Sequence, residues 1–277
     1  MAYPKPLSAK SLEKLYLESG LSDESRTFLH DLFAACTNLY GAIALRDVWE
    51  IYKYIGFSTP KIRRKDLVTF SAIVRREVQP YQIYEIEELY EAEPHNDLDR
   101  HIVSKTLVTG RYYKFIRFYE VMKNAAGKPY YIPNDLLAWK TSAQTAEETA
   151  LRSYLEKLIG ENANKFFHSY ADRSNLGIVD PMRNFQYLME DLAAANIQME
   201  QAQIEKLVRL TTDYHNNSHL WCNAGWTPSA LSRAMSADGR KPVISFGPGY
   251  QQAFADGTLD RDELERSLRK NGFAVAE

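Results

Sequence analysis

Residues 45–78 read LRDVWEIYKYIGFSTPKIRRKDLVTFSAIVRREV. Leu45, Val48, Trp49, Tyr52 and Ile55 recur three and four apart, the stripe of a helix with one face in a core. Gly56-Phe57-Ser58 closes that helix, and Thr59-Pro60 opens another. A threonine hydroxyl accepts from an unpaired first-turn N–H, and proline at the first helical position has no N–H to lose. Leu67, Phe70, Val74 and Val78 carry the second stripe up to Pro80. The period then changes. Tyr81 to Ile86 is rich in Tyr and Ile, and Arg100 to Val108 alternates with Ile102, Ser104 and Thr106 on one face, which predicts two short strands around an acidic loop.

Two helices joined by a short turn containing Gly, then two strands, is the order of a winged helix-turn-helix. In that motif the second helix enters the major groove with its N-terminal residues against base edges. Here those residues are Lys61, Arg63, Arg64 and Lys65. With Arg75 and Arg76 they make six cations against Asp66 and Glu77, a local charge of +4 between residues 57 and 78. That cluster is the expected footprint of phosphate contact. Opposing it, residues 81–100 carry Glu85, Glu87, Glu88, Glu91, Glu93, Asp97 and Asp99 with only Arg100 in return, a charge of −6. A wing of that sign is repelled by a phosphate backbone at short range. The acidic loop therefore supports an alternative: a protein partner bound through Glu85, Glu87, Glu88, Tyr90 and Glu91.

Working outward, Ser22 caps a helix whose apolar positions are Phe28, Leu29, Leu32, Phe33, Cys36 and Leu39, interrupted at Gly41. Downstream, Lys114 to Met122 reads as helix, and Gly127-Lys128-Pro129 is the strongest boundary signal. Helices follow at about 145–159, 164–171, 179–195 and 199–214, then a short one after Thr227-Pro228 and a charged one near 260–270. The expected architecture is mainly α. It has a winged-helix-like N-terminal half with a small β hairpin (1–126) and a helical-bundle C-terminal half (127–277), with one continuous domain as the alternative.

The 277 residues carry 34 Lys+Arg against 36 Asp+Glu, with 45% apolar and 25% charged residues. This is the balance of a globular chain and excludes a disordered, collagen-like or disulfide-stapled one. A pI near 6.3 does not by itself favour nucleic acid. No apolar run approaches the roughly 18 residues of a membrane span, and the first residues lack the apolar stretch of a secretory signal. Two cysteines, Cys36 and Cys222, are too few for a disulfide framework, so a reducing cytoplasm is the expectation.

Reactive side chains are densest at residues 213–222. His215 and His219 stand four apart, and with Asp213 or Cys222 they could supply three zinc ligands, a third reading as a small metal-dependent hydrolase. Asn216-Asn217-Ser218 is poor helix material, so the competing expectation is a capped loop anchored by Trp221 and Trp226. Other motifs fall short. Residues 256–263 resemble half of a calcium loop, but Phe254 stands where a ligand is needed. Gly247-Pro248-Gly249 has no following Gly-Lys-Ser/Thr. The residues imply no cofactor.

Three stretches, Asn38-Leu39-Tyr40-Gly41-Ala42-Ile43, Lys128-Pro129-Tyr130-Tyr131-Ile132-Pro133 and Leu220-Trp221-Cys222-Asn223-Ala224-Gly225-Trp226-Thr227-Pro228, in this order resemble a group of mostly helical bacterial proteins. Many of those end in a SEC-C zinc tail, the cysteine-rich tail also found on the preprotein translocase ATPase. The resemblance spans about residues 28 to 235. It implies a bacterial cytoplasmic protein with a helical fold. The last forty residues here contain no cysteine, so the zinc tail is absent, and the group lends no catalytic or ligand residues.

Overall fold

The computed structural model describes residues 3–55, 60–90, 96–108, 114–141 and 145–237, and beyond them 243–244, 254–255, 257, 260–270 and 274–275. The expected turn at Gly56–Thr59, the loop acids Glu91 and Glu93, and Gly247-Pro248-Gly249 lie outside them. Two compact units divide the chain, Met1–Trp226 and Thr227–Glu277. The boundary expected between residues 126 and 127 falls inside the first.

That unit opens with α1 (Ala9–Ser19) and α2 (Asp23–Tyr40). Ser22 caps α2 by accepting from the Ser25 N–H at 3.1 Å, and Phe28, Leu29, Leu32, Phe33, Cys36 and Leu39 are all buried. At Gly41 the chain turns with φ +72° into β1 (Ala42–Ala44), then runs directly into α3 (Leu45–Ile55). On α3, Leu45, Val48 and Ile51 are buried while Trp49, Tyr52 and Ile55 pack at the margin of the same core.

The next helix, α4, spans Arg64–Val74 and therefore begins four residues later than Pro60 suggests. The reason is tertiary. Tyr52 donates its hydroxyl proton to the Pro60 carbonyl (2.9 Å) and accepts from the Ile62 N–H (2.7 Å), holding residues 60–62 off α3 in a non-helical run. Asp66 then caps the helix from its third position by accepting from the Arg63 N–H at 2.9 Å.

Strands β2 (Tyr81–Tyr84) and β3 (His101–Ser104) pair antiparallel, and β1 adds to the other side of β3, giving the order β1-β3-β2. Between β2 and β3 lie α5 (Ile86–Tyr90) and a single 3-10 turn at Asp97–Asp99. The register sets Ile102 opposite both Ile43 and Ile83, and these three enter the core built by α2, α3 and α4. Alternation sends Ala42, Val103 and Tyr84 to the opposite face, where they meet Phe118 and Val121 of α6 (Ile116–Ala125). The sheet is thus buried on both faces.

Four helices complete the unit: α7 (Ala146–Ile159), α8 (Ala163–Leu176), α9 (Pro181–Ala194) and α10 (Gln201–Asn217). They enclose their own core of Leu151, Leu155, Phe167, Tyr170, Leu188 and Leu207. The second unit contains α11 (Pro228–Ala237), a short parallel pair of β4 (Val243–Ile244) with β5 (Ala274–Val275), and α12 (Arg261–Lys270). Asp260 caps α12 by accepting from the Glu263 N–H at 3.0 Å, so this acid belongs to a helix start. The protein is mainly α with one small three-stranded sheet. Among the described residues no helix is long and apolar enough to cross a membrane.

Candidate nucleic-acid interface

The six cations singled out in the sequence separate into four groups. Lys61, Arg64 and Lys65 are exposed at the start of α4 and pair with no carboxylate among the described residues. Arg63, exposed beside them, chelates Asp66 through Nε (3.0 Å) and Nη2 (2.9 Å). That contact holds the Asp66 carboxyl below the usual carboxylate range, so Arg63 and Asp66 together present little net charge.

Arg75 is a correction to the expected surface. Its side chain is only 14% exposed, binds both Glu88 oxygens (2.5 and 2.7 Å) and reaches Glu85 at 3.1 Å. Glu85 is shared with Arg100 (2.8 Å), whose Nη1 donates to Ser71 Oγ of α4 at 3.1 Å. Two arginines and two glutamates therefore stitch α4 to α5 and β3. Charges this far from water need such partners, and the network removes Arg75 from any ligand surface. Arg76 is exposed but lies past the C-terminal end of α4, with the whole helix, about 16 Å at 1.5 Å per residue, between it and the basic start.

The same network corrects the alternative acidic surface. Glu85 and Glu88 face inward to arginines, and buried Asp99 pairs with Arg46 of α3. Of the acids proposed for a partner, Glu87 remains exposed beside Tyr90, which is 42% exposed, and Glu91 lies outside the described residues. Asp97 is open to solvent at 4.0 Å from Arg100. A cleft of about 330 Å³ runs between Arg64, Lys65 and Val68 on one side and Asn96, Asp97 and Leu98 on the other.

The 213–222 segment does not assemble a metal centre. α10 runs on to Asn217, which places His215 in its last turn and His219 beyond it, so their spacing of four does not put them on one face. His219 is wedged between Tyr131 (4.9 Å) and Trp139 (4.7 Å) with Nδ1 2.6 Å from the Gly225 carbonyl. Cys222 is buried, donates to the Ser174 carbonyl at 3.4 Å and has its thiol pKa pushed up by burial, the opposite of an activated nucleophile. Asp213 is exposed. Among the described residues no three His, Cys, Asp or Glu side chains converge on a metal-sized site.

These residues instead form an anchor. Trp221 donates to the Asn38 carbonyl (2.9 Å) and Trp226 to the Pro129 carbonyl (2.8 Å). Tyr40 donates to the Tyr131 carbonyl (2.7 Å), and Lys128 donates to the Cys222 carbonyl (2.8 Å) and Asn223 Oδ1 (2.9 Å). All three stretches named in the resemblance meet at this point. Tyr52 and Arg46, which position the basic turn and neutralise the loop, escaped the sequence reading because on α3 they look like one more core aromatic and one more solvated charge. Comparison of the chain with protein-family models, curated proteins and solved structures finds no match to any of them.

Proposed function

We propose that this chain is a non-enzymatic, macromolecule-binding protein that takes duplex nucleic acid on the exposed start of α4. The element order α2, β1, α3, α4, β2, β3 with sheet order β1-β3-β2 supports a winged helix-turn-helix, in which α4 is the helix presented to the major groove. The observation that carries the reading is the trio Lys61, Arg64 and Lys65, exposed and in no salt bridge among the described residues, with Lys65 sensed electrostatically by Asp66. Glu87 is exposed and Asp97 lines the same cleft as Arg64 and Lys65, so these acids oppose phosphate at short range and the affinity of a single chain is modest.

The test follows from counterion release. Three phosphate contacts predict a slope of about −2.7 in log affinity against log salt. In fluorescence anisotropy with a labelled duplex, affinity then falls about 40-fold between 50 and 200 mM salt. Charge reversal at Lys61 and Arg64 together removes the binding.

A second reading rests on Glu87 and Tyr90, an exposed acid and an exposed aromatic on one short helix. Aromatic residues are enriched in protein interfaces, and an acid at the rim selects a basic partner. Glu87→Lys with Tyr90→Ala then loses a partner in affinity capture while the melting curve stays in place. An unchanged set of partners argues against it.

A further inference from the structure

The α7–α10 bundle contains a recess that takes no part in the α4 surface. One wall is the face of α10 bearing Val208, Thr212 and His215, spaced i, i+4, i+7 along one side of the helix. Met182 and Phe185 of α9 form the other wall, and the buried ring of Tyr170 lies beneath. Its volume is about 200 Å³. A cavity of about 150 Å³ lined by aliphatic and aromatic side chains accommodates benzene, so this one suits one ring or two fused rings.

Three observations define the chemistry of an occupant. Met182 is 65% exposed and Val208 43%, so large apolar side chains stand uncovered at the rim. Among the described residues no Asp, Glu, Lys or Arg lines the recess, and a charged ligand would lose hydration there without gaining an ion partner from them. His215 lines the recess, and its Nδ1 is sealed from solvent with no hydrogen-bond partner among the described residues, which leaves Nε2 as the ring nitrogen for an occupant. We infer that the α9–α10 recess is a binding site for a small neutral aromatic of one or two rings carrying a hydroxyl or N–H, held by stacking among Met182, Phe185 and Val208 and by one hydrogen bond to His215. Such sites, mostly apolar with a few placed polar groups (here Thr211, Thr212 and Asn216 beside His215), are typical between the helices of bundles.

The test uses the full chain with three probes: indole, p-cresol, and p-xylene, which keeps the shape of p-cresol without its hydroxyl. In an NMR titration with methyl-labelled methionine, the Met182 methyl shifts saturably with indole and with p-cresol. His215→Phe keeps an aromatic ring at that position but removes its nitrogens, and weakens p-cresol about tenfold relative to p-xylene, the worth of one hydrogen bond. Val208→Trp, at a position already half open to solvent, fills the recess and abolishes the Met182 response to every probe. Absence of a saturable shift with indole and p-cresol at several millimolar overturns the site. An unchanged p-cresol affinity in a folded His215→Phe protein overturns the role given to the histidine. A response that survives Val208→Trp places the binding elsewhere. None of these outcomes depends on the nucleic-acid reading.

Discussion

At Gly41 the backbone takes φ +72°, and a Cβ built there would lie 2.5 Å from Cδ2 of the Trp221 ring. The glycine lets α2 end, β1 begin and the indole lie flat on the backbone within one residue. Gly225 repeats the device, its missing Cβ leaving room for the Tyr40 ring at 2.8 Å. Gly41→Ala combines a steric clash with a left-handed backbone that L side chains resist, and destabilises the fold by about 2–4 kcal/mol. Chemical denaturation followed by tryptophan fluorescence reads this directly, and an unchanged midpoint would contradict the packing described. The sequence marks Gly41 only as a helix interruption. Its real constraint comes from a residue 180 positions away, which no local pattern contains.

On the scale of the element, the two halves of α4 do different work. Its first turn offers cations to solvent, and its last turn is bound into the sheet by Arg75, Glu85, Glu88 and Arg100. Glu88 is 7% exposed, and Glu88→Gln leaves part of the Arg75 charge unmatched, which costs about 2–3 kcal/mol of stability. Duplex affinity of the protein that remains folded is unchanged. The Lys61/Arg64 double reversal behaves in the opposite way, within about 0.5 kcal/mol of the parent in stability but without binding. A urea titration and an anisotropy titration on each variant separate the two roles, and the account fails if both variants lose affinity while keeping their stability. The stripes of α2 and α3 were legible in the sequence because apolar period alone specifies a core-facing helix. The start of α4 was not, since a distant tyrosine hydroxyl and Asp66 outweigh the local preference of Pro60. Strand β1 was also missed, for three residues between two helices carry no period.

Across the whole molecule, ion pairing decides which charges are available to a ligand. Residues 81–100 carry a formal −6, yet Glu85, Glu88 and Asp99 are matched by Arg75, Arg100 and Arg46. Arg46 and Arg75 are drawn from outside that loop, so its charge can be counted from sequence but its partners cannot. The cationic start of α4 keeps Lys61, Arg64 and Lys65 toward solvent, and on these three the proposed function rests. The measurement that bears on it most directly is the salt dependence of duplex binding by the full chain, alongside the Lys61→Glu, Arg64→Glu protein. The account predicts a slope of about −2.7 for the parent and no measurable binding for the variant. A flat salt response, or equal binding by the two proteins, would contradict it.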